Sequence, residues 1–174
     1  MRMRKKKNLA PRMEACGAYL IRDPFALRGR WRELMPEARE LRVELGCGKG
    51  GFISQLACAH PENNYLGIDI TDKVLILAKR KIEAAYQAAN RPIDNVKIMS
   101  TDIERIKGVI TAEDEVSRIY INFCDPWPKS NQKKRRLTHG DFLKKYRQVL
   151  AEGGQIHFKT DNANLFAWSL PEME

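Results

Sequence analysis

The sequence lacks the closely spaced cysteine and histidine pairs that structural zinc sites normally use. Its four cysteines, Cys16, Cys47, Cys58 and Cys124, form no C-x-x-C pair, and its three histidines are scattered along the chain. We therefore predict neither a metal site nor a disulfide. Free thiols that are buried or half-buried, in a reducing compartment, are the expected state.

Long apolar runs are also absent. No stretch approaches the roughly 20 apolar residues that a membrane-spanning helix needs. The basic N-terminus is not followed by the apolar core of a secretion signal. These two absences disfavour a membrane protein and a secreted protein, and we expect a mature cytoplasmic protein.

Acidic residues are too few to balance the basic ones. Lys and Arg total 31 against 22 Asp and Glu, which gives a formal net charge of +9 and a pI near 9.5. Such an excess favours a polyanionic partner, most simply nucleic acid. Residues 1–12 predict a flexible basic arm, which either contacts RNA or is only solvated.

Residues 13–40 are predicted to hold short helical or irregular pieces, and strand-like and helix-like segments alternate from Leu41 onward. Because there is no internal repeat and no low-complexity linker, we predict one domain over residues 13–174. The predicted strands cover 41–45, 65–69, 95–99, 118–123 and 155–159. Helices are predicted at about 52–59, from Thr71 or Asp72 to about 89, and from Thr138 to Gly153-Gly154. This order predicts an α/β, Rossmann-like fold with a mostly parallel sheet flanked by helices.

A glycine-rich turn follows the first predicted strand. Its spacing fits a dinucleotide fingerprint and also fits E-x-G-x-G-x-G through Glu44, Gly46, Gly48 and Gly50. Glycines there allow a tight turn and let a ligand approach the main chain. A carboxylate at position 44 would repel a pyrophosphate but attract the amino-acid end of a cationic sulfonium ligand, which favours S-adenosylmethionine over NAD.

Two aspartates follow the next two predicted strands. Asp69 lies 23 residues after Gly46, where an acid can accept hydrogen bonds from both ribose hydroxyls of an adenosine. The alternative for Asp69 is a helix cap or turn residue. Asp102 either borders an adenine pocket or caps the short helix that follows it.

The segment Asn122–Lys129 places an acid, an indole and a base directly after a buried strand. Pro126 and Pro128 bracket Trp127, so the loop should be stiff, with Asp125 and Trp127 both extended. Stiff loops at the carboxyl ends of sheet strands commonly hold the chemistry of α/β proteins. We therefore predict an active-site loop; a proline-rich turn whose Trp covers the core is the alternative.

A basic run continues from this loop. Lys133, Lys134, Arg135 and Arg136 are consecutive and almost unbalanced by acid. A solvated charged face is the usual explanation for such runs. Because this one adjoins the predicted active-site loop, we interpret it as a set of contacts to RNA phosphates, which set position and affinity and not sequence choice.

Taken together, these motifs resemble those of the bacterial tRNA (guanine-N(7)-)-methyltransferase family, which are class I S-adenosylmethionine-dependent methyltransferases. The resemblance covers nearly the whole chain. Its most family-specific part is the Asp-Pro-Trp-Pro-Lys loop together with the basic run that follows it. It implies cofactor contacts from Glu44, Gly46, Gly48, Asp69, Asp102 and Asp125, of which Asp125 is also catalytic. It implies substrate contacts from Lys129 and Asp161.

The family pattern continues past Glu174 with two further strands. The resemblance therefore implies a methyltransferase domain that is incomplete at its C-terminus, with a sheet that lacks its last two strands. The fifth predicted strand would be an exposed edge.

The implied reaction moves a methyl group from S-adenosylmethionine to nitrogen 7 of a guanine in the tRNA variable loop, leaving S-adenosylhomocysteine. Asp125 would hydrogen-bond the guanine edge and stabilise its developing charge, without abstracting a proton. The alternatives are an inactive or weak RNA-binding remnant, an amino-group methyltransferase of nucleic acids, and a nicotinamide-dependent enzyme. For the oligomeric state, the sequence is compatible with a monomer and with a homodimer.

Overall fold

A computed structural model describes residues 17–35 and 39–174 of the chain. The predicted basic arm, residues 1–12, lies outside this part. The described residues build one six-stranded sheet in the order β1-β4-β3-β2-β5-β6, with every neighbouring pair parallel. The strands are β1 (Leu20–Ile21), β2 (Glu40–Leu45), β3 (Asn63–Asp69), β4 (Val96–Ser100), β5 (Val116–Asn122) and β6 (Leu150–Lys159).

Helices cover both faces of this sheet. They are α1 (Trp31–Leu34), α2 (Gly51–Ala59), α3 (Asp72–Ala88), α4 (Gly140–Val149) and α5 (Ala163–Met173). On one face, α2 and α3 bury Ile53, Ile82 and Tyr86 against strand residues such as Ile98. On the other, α4 buries Phe142 and Tyr146 against the opposite side chains of the same strands. The alternation of strand side chains thus produces two apolar layers.

The parallel register brings the carboxyl ends of the central strands to one edge. Leu45 of β2 pairs with Ile68 of β3 and with Ile121 of β5. The loops after these three strands therefore begin side by side, which is where ligands bind in open α/β sheets. None of the helices within the described ranges has both the length and the apolar composition of a bilayer-spanning segment.

The α/β, Rossmann-like prediction is confirmed, and all five predicted strands are present as β2 to β6. The strand predicted at 155–159 is the carboxyl half of β6, which forms one edge of the sheet that the described residues build. The sequence analysis missed β1. Two residues are too few for any periodicity, and only the pairing of Leu20 with Ile98 and of Ile21 with Met99 defines that strand.

The helix predicted from Thr138 to Gly153-Gly154 is shorter than expected. It begins after His139, whose Nδ1 accepts a hydrogen bond from the Asp141 N–H, and it ends at Val149. Leu150 is already extended and pairs with Val116 of β5. The prediction that the glycine pair ends the helix is wrong because sheet pairing begins at Leu150, three residues before Gly153.

Candidate active site

A cavity of about 590 Å³ lies at the carboxyl ends of β2, β3 and β5. It brings together four of the predicted site residues, Gly46, Asp69, Asp102 and Asp125, together with Arg135 of the basic run. The rest of its lining is mostly apolar: Ile70, Thr71, Ile103, Glu104, Phe123, Cys124, Trp127, Leu137 and Phe142. Residues far apart in sequence thus share one concave surface with a few polar groups.

The glycine turn after β2 has the conformation that its sequence predicts. Gly46, Gly48 and Gly50 have φ of +75°, +54° and +73°, a region that favours glycine. The Gly46 N–H donates to the carbonyl of Ile68 at 2.8 Å, which ties the turn to β3. A β-carbon added to Gly46 would meet no atom within 4 Å. The main chain at Gly46 is therefore open to a ligand.

Glu44 is a buried carboxylate beside this turn. Its side chain is 5% exposed. Oε1 lies 3.5 Å from Nδ2 of Asn122, and Oε2 is buried without a hydrogen-bond partner in the part of the chain that is described. Burial raises the pKa of Glu44 to about 8, and the nearby Asp69 acts in the same direction. Burying an acceptor oxygen of this kind costs folding free energy unless a donor forms a hydrogen bond with it.

Asp69 is oriented by two backbone donors. Its Oδ2 accepts from the Gly48 N–H at 3.0 Å, and its Oδ1 accepts from the Thr71 N–H at 2.9 Å. The second bond is the turn contact that the alternative interpretation expected, yet the same carboxylate also lines the cavity. Each oxygen keeps capacity to accept from a ligand.

Asp102 caps a short helix, as one of its two interpretations expected, and it also lines the cavity. Its Oδ1 accepts from the Glu104 N–H at 2.9 Å and caps the short helix Ile103–Gly108. It is also exposed at the cavity wall. Capping therefore orients Asp102 and leaves it accessible.

The loop after β5 differs from its predicted conformation. Asp125 is exposed and lines the cavity. Trp127, however, has a φ of +42°, and Phe123 has a φ of +51°. The prediction that Trp127 is extended is wrong, since hydrogen bonds from Arg136 to the loop carbonyls outweigh the local preference that Pro128 imposes.

The basic run divides into two groups. Lys133, Lys134 and Arg135 are exposed on the short helix Ser130–Arg135, and the Arg135 guanidinium lies 5.0 Å from the centre of the Trp127 ring. Arg136 is 7% exposed and binds the loop instead. The guanidinium of Arg136 thus points into the protein, whereas the other three cations of the run face outward.

Two predicted substrate residues lie outside the cavity lining. Lys129 directly precedes the helix Ser130–Arg135, and Asp161 follows β6. Both are exposed. The carboxyl ends of β5 and β6 are joined by the Phe123 N–H, which donates to the carbonyl of Lys159 at 2.8 Å. Lys129 and Asp161 therefore both follow strands that end on the cavity side of the sheet.

Sequence reasoning missed two apolar residues of the cavity wall. Ile70 is 66% exposed and Phe123 is 58% exposed, and each follows directly after the last residue of a strand. That position was the available signal, since an apolar residue at the exposed end of a sheet strand has no core to fill. Apolar surfaces of this kind suit the faces of purine rings.

The described part of the chain contains no group of three or more His, Cys, Asp or Glu side chains that could hold a metal ion. The described thiols, Cys47, Cys58 and Cys124, are free. Burial raises the pKa of Cys124, which adjoins Asp125, to about 11. Its thiol is therefore protonated and a poor nucleophile near neutral pH.

Sequence comparisons identify close relatives. A family model described as "Putative methyltransferase" matches residues 38–174. The chain is 48% identical over 171 residues to the tRNA (guanine-N(7)-)-methyltransferase of Clostridium perfringens (strain SM101 / Type A), an alignment that covers 98% of this chain and 78% of that protein.

Structural comparisons agree on the fold. The 16S rRNA methyltransferase KamB superposes with a TM-score of 0.59 at 16% identity, over 82% of this chain and 61% of that one. A methyltransferase from Thiobacillus denitrificans, solved in complex with S-adenosyl-L-homocysteine, gives a TM-score of 0.50 at 19% identity, over 89% and 56%. The fold is thus that of the class I S-adenosylmethionine-dependent methyltransferases.

Proposed function

Because this chain belongs to the tRNA (guanine-N(7)-)-methyltransferase family, we propose that it methylates nitrogen 7 of a guanine in the tRNA variable loop, with S-adenosylmethionine as the methyl donor. The observation that carries this proposal is the composition of the cavity. Gly46 of the glycine turn, Asp69 and Asp102 lie in its wall together with Asp125 and Arg135. A donor site and a nucleic-acid-facing site therefore share one space.

The residues on the donor side fit S-adenosylmethionine. The unpartnered Oε2 of Glu44 offers an acceptor to a cationic ammonium group. Gly46 and Gly48 let the ligand approach the main chain, and Asp69 accepts hydrogen bonds from ribose hydroxyls. Asp102 and the exposed Ile70 border the adenine. When bound, the donor supplies an electrophilic methyl group on a sulfonium.

Asp125 faces the nucleophile in this arrangement. Nitrogen 7 of guanine carries a lone pair and no proton, so the reaction requires no general base. The enzyme must align the purine with the methyl group, and orientation alone can supply a large part of the rate. As the ring becomes cationic, the Asp125 carboxylate hydrogen-bonds the guanine edge and stabilises the new charge.

The exposed cations provide the RNA-binding surface. Lys133, Lys134 and Arg135 contact phosphates, while Lys129 and Asp161 contact the guanosine that is turned out of its stack. Such contacts recognise the shape and backbone of a folded RNA. A tRNA substrate also implies that the protein acts in the cytoplasm.

The test is methyl transfer to defined transcripts. The protein is incubated with labelled S-adenosylmethionine and an unmodified tRNA, and the labelled base is then identified. We expect label on nitrogen 7 of one variable-loop guanine. A matched transcript with 7-deazaguanosine lacks that nitrogen and should accept no label. Label on an adenine amino group, or equal label on the 7-deazaguanosine transcript, would refute the proposal.

A further inference from the structure

Arg136 is the buried member of the basic run, and the Nε and Nη2 edge of its guanidinium faces the predicted active-site loop. Its Nε donates to the carbonyl oxygen of Pro126 at 2.9 Å and to that of Trp127 at 3.3 Å. Its Nη2 donates to the Trp127 carbonyl at 3.1 Å. The central carbon of the guanidinium, Cζ, lies over the ring of Trp168 on α5, 4.4 Å from its centre.

No carboxylate of the described residues forms an ion pair with Arg136. Burying a cation without a counterion is costly, and an apolar side chain would fill the same space without that cost. The two carbonyl groups that the guanidinium binds therefore explain why a cation, and not an apolar side chain, occupies this buried position.

The two carbonyls that Arg136 binds determine the backbone conformation of Trp127. The peptide planes of Pro126 and Trp127 lie on either side of the Trp127 Cα, so fixing both carbonyls fixes the φ and ψ of Trp127. That residue has a φ of +42°, a rare conformation for a bulky side chain and one that surrounding contacts must maintain. The flanking prolines carry no N–H with which the loop could hold itself.

We propose that Arg136 is a positioning residue for methyl transfer. It holds Trp127 in the left-handed conformation and so holds Asp125, two residues earlier, at the wall of the cavity. Trp168 braces the guanidinium, so α5 also supports the loop. This inference rests on the proposed function, because it gives the loop geometry a role in the transfer step.

Arg136→Lys is the informative variant. It keeps the positive charge that a phosphate contact would need but lacks the planar fork that binds two carbonyls. We expect kcat to fall by about 10- to 100-fold, as misplacement of a reacting group typically does. The affinity for S-adenosylhomocysteine, the affinity for tRNA and the salt dependence of tRNA binding should be unchanged. Lys133→Ala is the reference, and it should weaken tRNA binding and lower the salt slope by about one.

Hydrogen exchange supplies a readout that does not need catalysis. The amides of residues 122–129 should exchange faster in Arg136→Lys than in the wild type, while those of β3 do not change. Trp168→Leu serves as a second variant if Arg136→Lys does not fold, and it should shift kcat and loop exchange in the same direction.

The outcomes separate the two claims. If the wild type methylates no guanine, the proposed function fails, and loop exchange still decides the role of Arg136. Unchanged kcat and unchanged loop exchange in both variants would overturn the inference. It would also be overturned if the only effect of Arg136→Lys were weaker tRNA binding with a smaller salt slope, since Arg136 would then be a phosphate contact.

Discussion

Glu44 and Asn122 lie on the adjacent strands β2 and β5, with Oε1 of Glu44 3.5 Å from Nδ2 of Asn122. The amide favours the ionised carboxylate, but burial outweighs it, and the pKa of Glu44 is raised to about 8. The buried Oε2, which has no hydrogen-bond partner within the described residues, is consistent with the dominance of burial. The raised pKa therefore favours the neutral form of the Glu44 carboxyl group near pH 7.

The stability of the protein should reflect this raised pKa. The folded state binds the Glu44 proton up to about pH 8, whereas the unfolded state releases it near the ordinary value of 4.5. The contribution of Glu44 is thus fully present below pH 4.5 and is lost as the pH rises through 8. Relative to Glu44→Gln, the wild type should lose on the order of a few kcal/mol of unfolding free energy between pH 5 and 9. Denaturant unfolding of both proteins measures this difference, and a constant difference would contradict the assignment.

Donor binding should release a proton. An ammonium group beside Glu44 favours the carboxylate and lowers its pKa, so S-adenosylhomocysteine should displace up to one proton near pH 7 and far less at pH 9. Titration calorimetry in buffers of different ionisation enthalpy counts that proton. The Glu44→Gln variant is the control, because the ligand's own amino group exchanges protons equally with both proteins, and only the wild type has a Glu44 proton to release. Equal proton release from both proteins would show that Glu44 does not face the ammonium.

Gly46 and Gly50 provide a matched pair of substitutions. Both have a positive φ, so alanine at either position should cost about 1–2 kcal/mol of stability. A β-carbon on Gly50 would also lie 2.7 Å from the β-carbon of Ala78 on α3. Gly50→Ala should therefore lower the melting temperature more than Gly46→Ala does. Gly46→Ala should instead weaken S-adenosylhomocysteine binding, because its methyl group points into open space. Thermal melts and titration calorimetry on both variants test this ordering, and the reverse order would contradict the placement of the ligand.

The exposed part of the basic run should determine how tRNA affinity depends on salt. Each phosphate contact that is lost lowers the slope of log K against log salt by about one. Lys133→Ala should therefore weaken binding at low salt and flatten the slope. Arg80→Ala, an exposed cation on α3, is the control and should change neither. Filter binding over a range of salt concentrations measures both slopes, and identical slopes would exclude Lys133 from the interface.

Sequence patterns predicted those parts of the fold that depend on interactions between residues close together in the chain. The glycine spacing predicted a turn, and the alternating apolar residues predicted β2 to β6. The left-handed conformation of Trp127 and the burial of Arg136 escaped prediction for one shared reason. Arg136 stands in a run of four cations and carries no local mark of burial, and the left-handed Trp127 depends on hydrogen bonds from that same Arg136. A contact between two residues nine positions apart, completed by α5, has no signature in either segment alone.

The most direct test of the proposed site is the Asp125→Ala variant, for which methyl transfer and S-adenosylhomocysteine binding are both measured. Methyl transfer from labelled S-adenosylmethionine to tRNA should be abolished, while S-adenosylhomocysteine binding remains measurable, because the glycine turn, Glu44 and Asp69 are intact. If Asp125→Ala turned over tRNA at the wild-type rate, the carboxylate would not face the guanine, and the proposed arrangement of the site would be wrong.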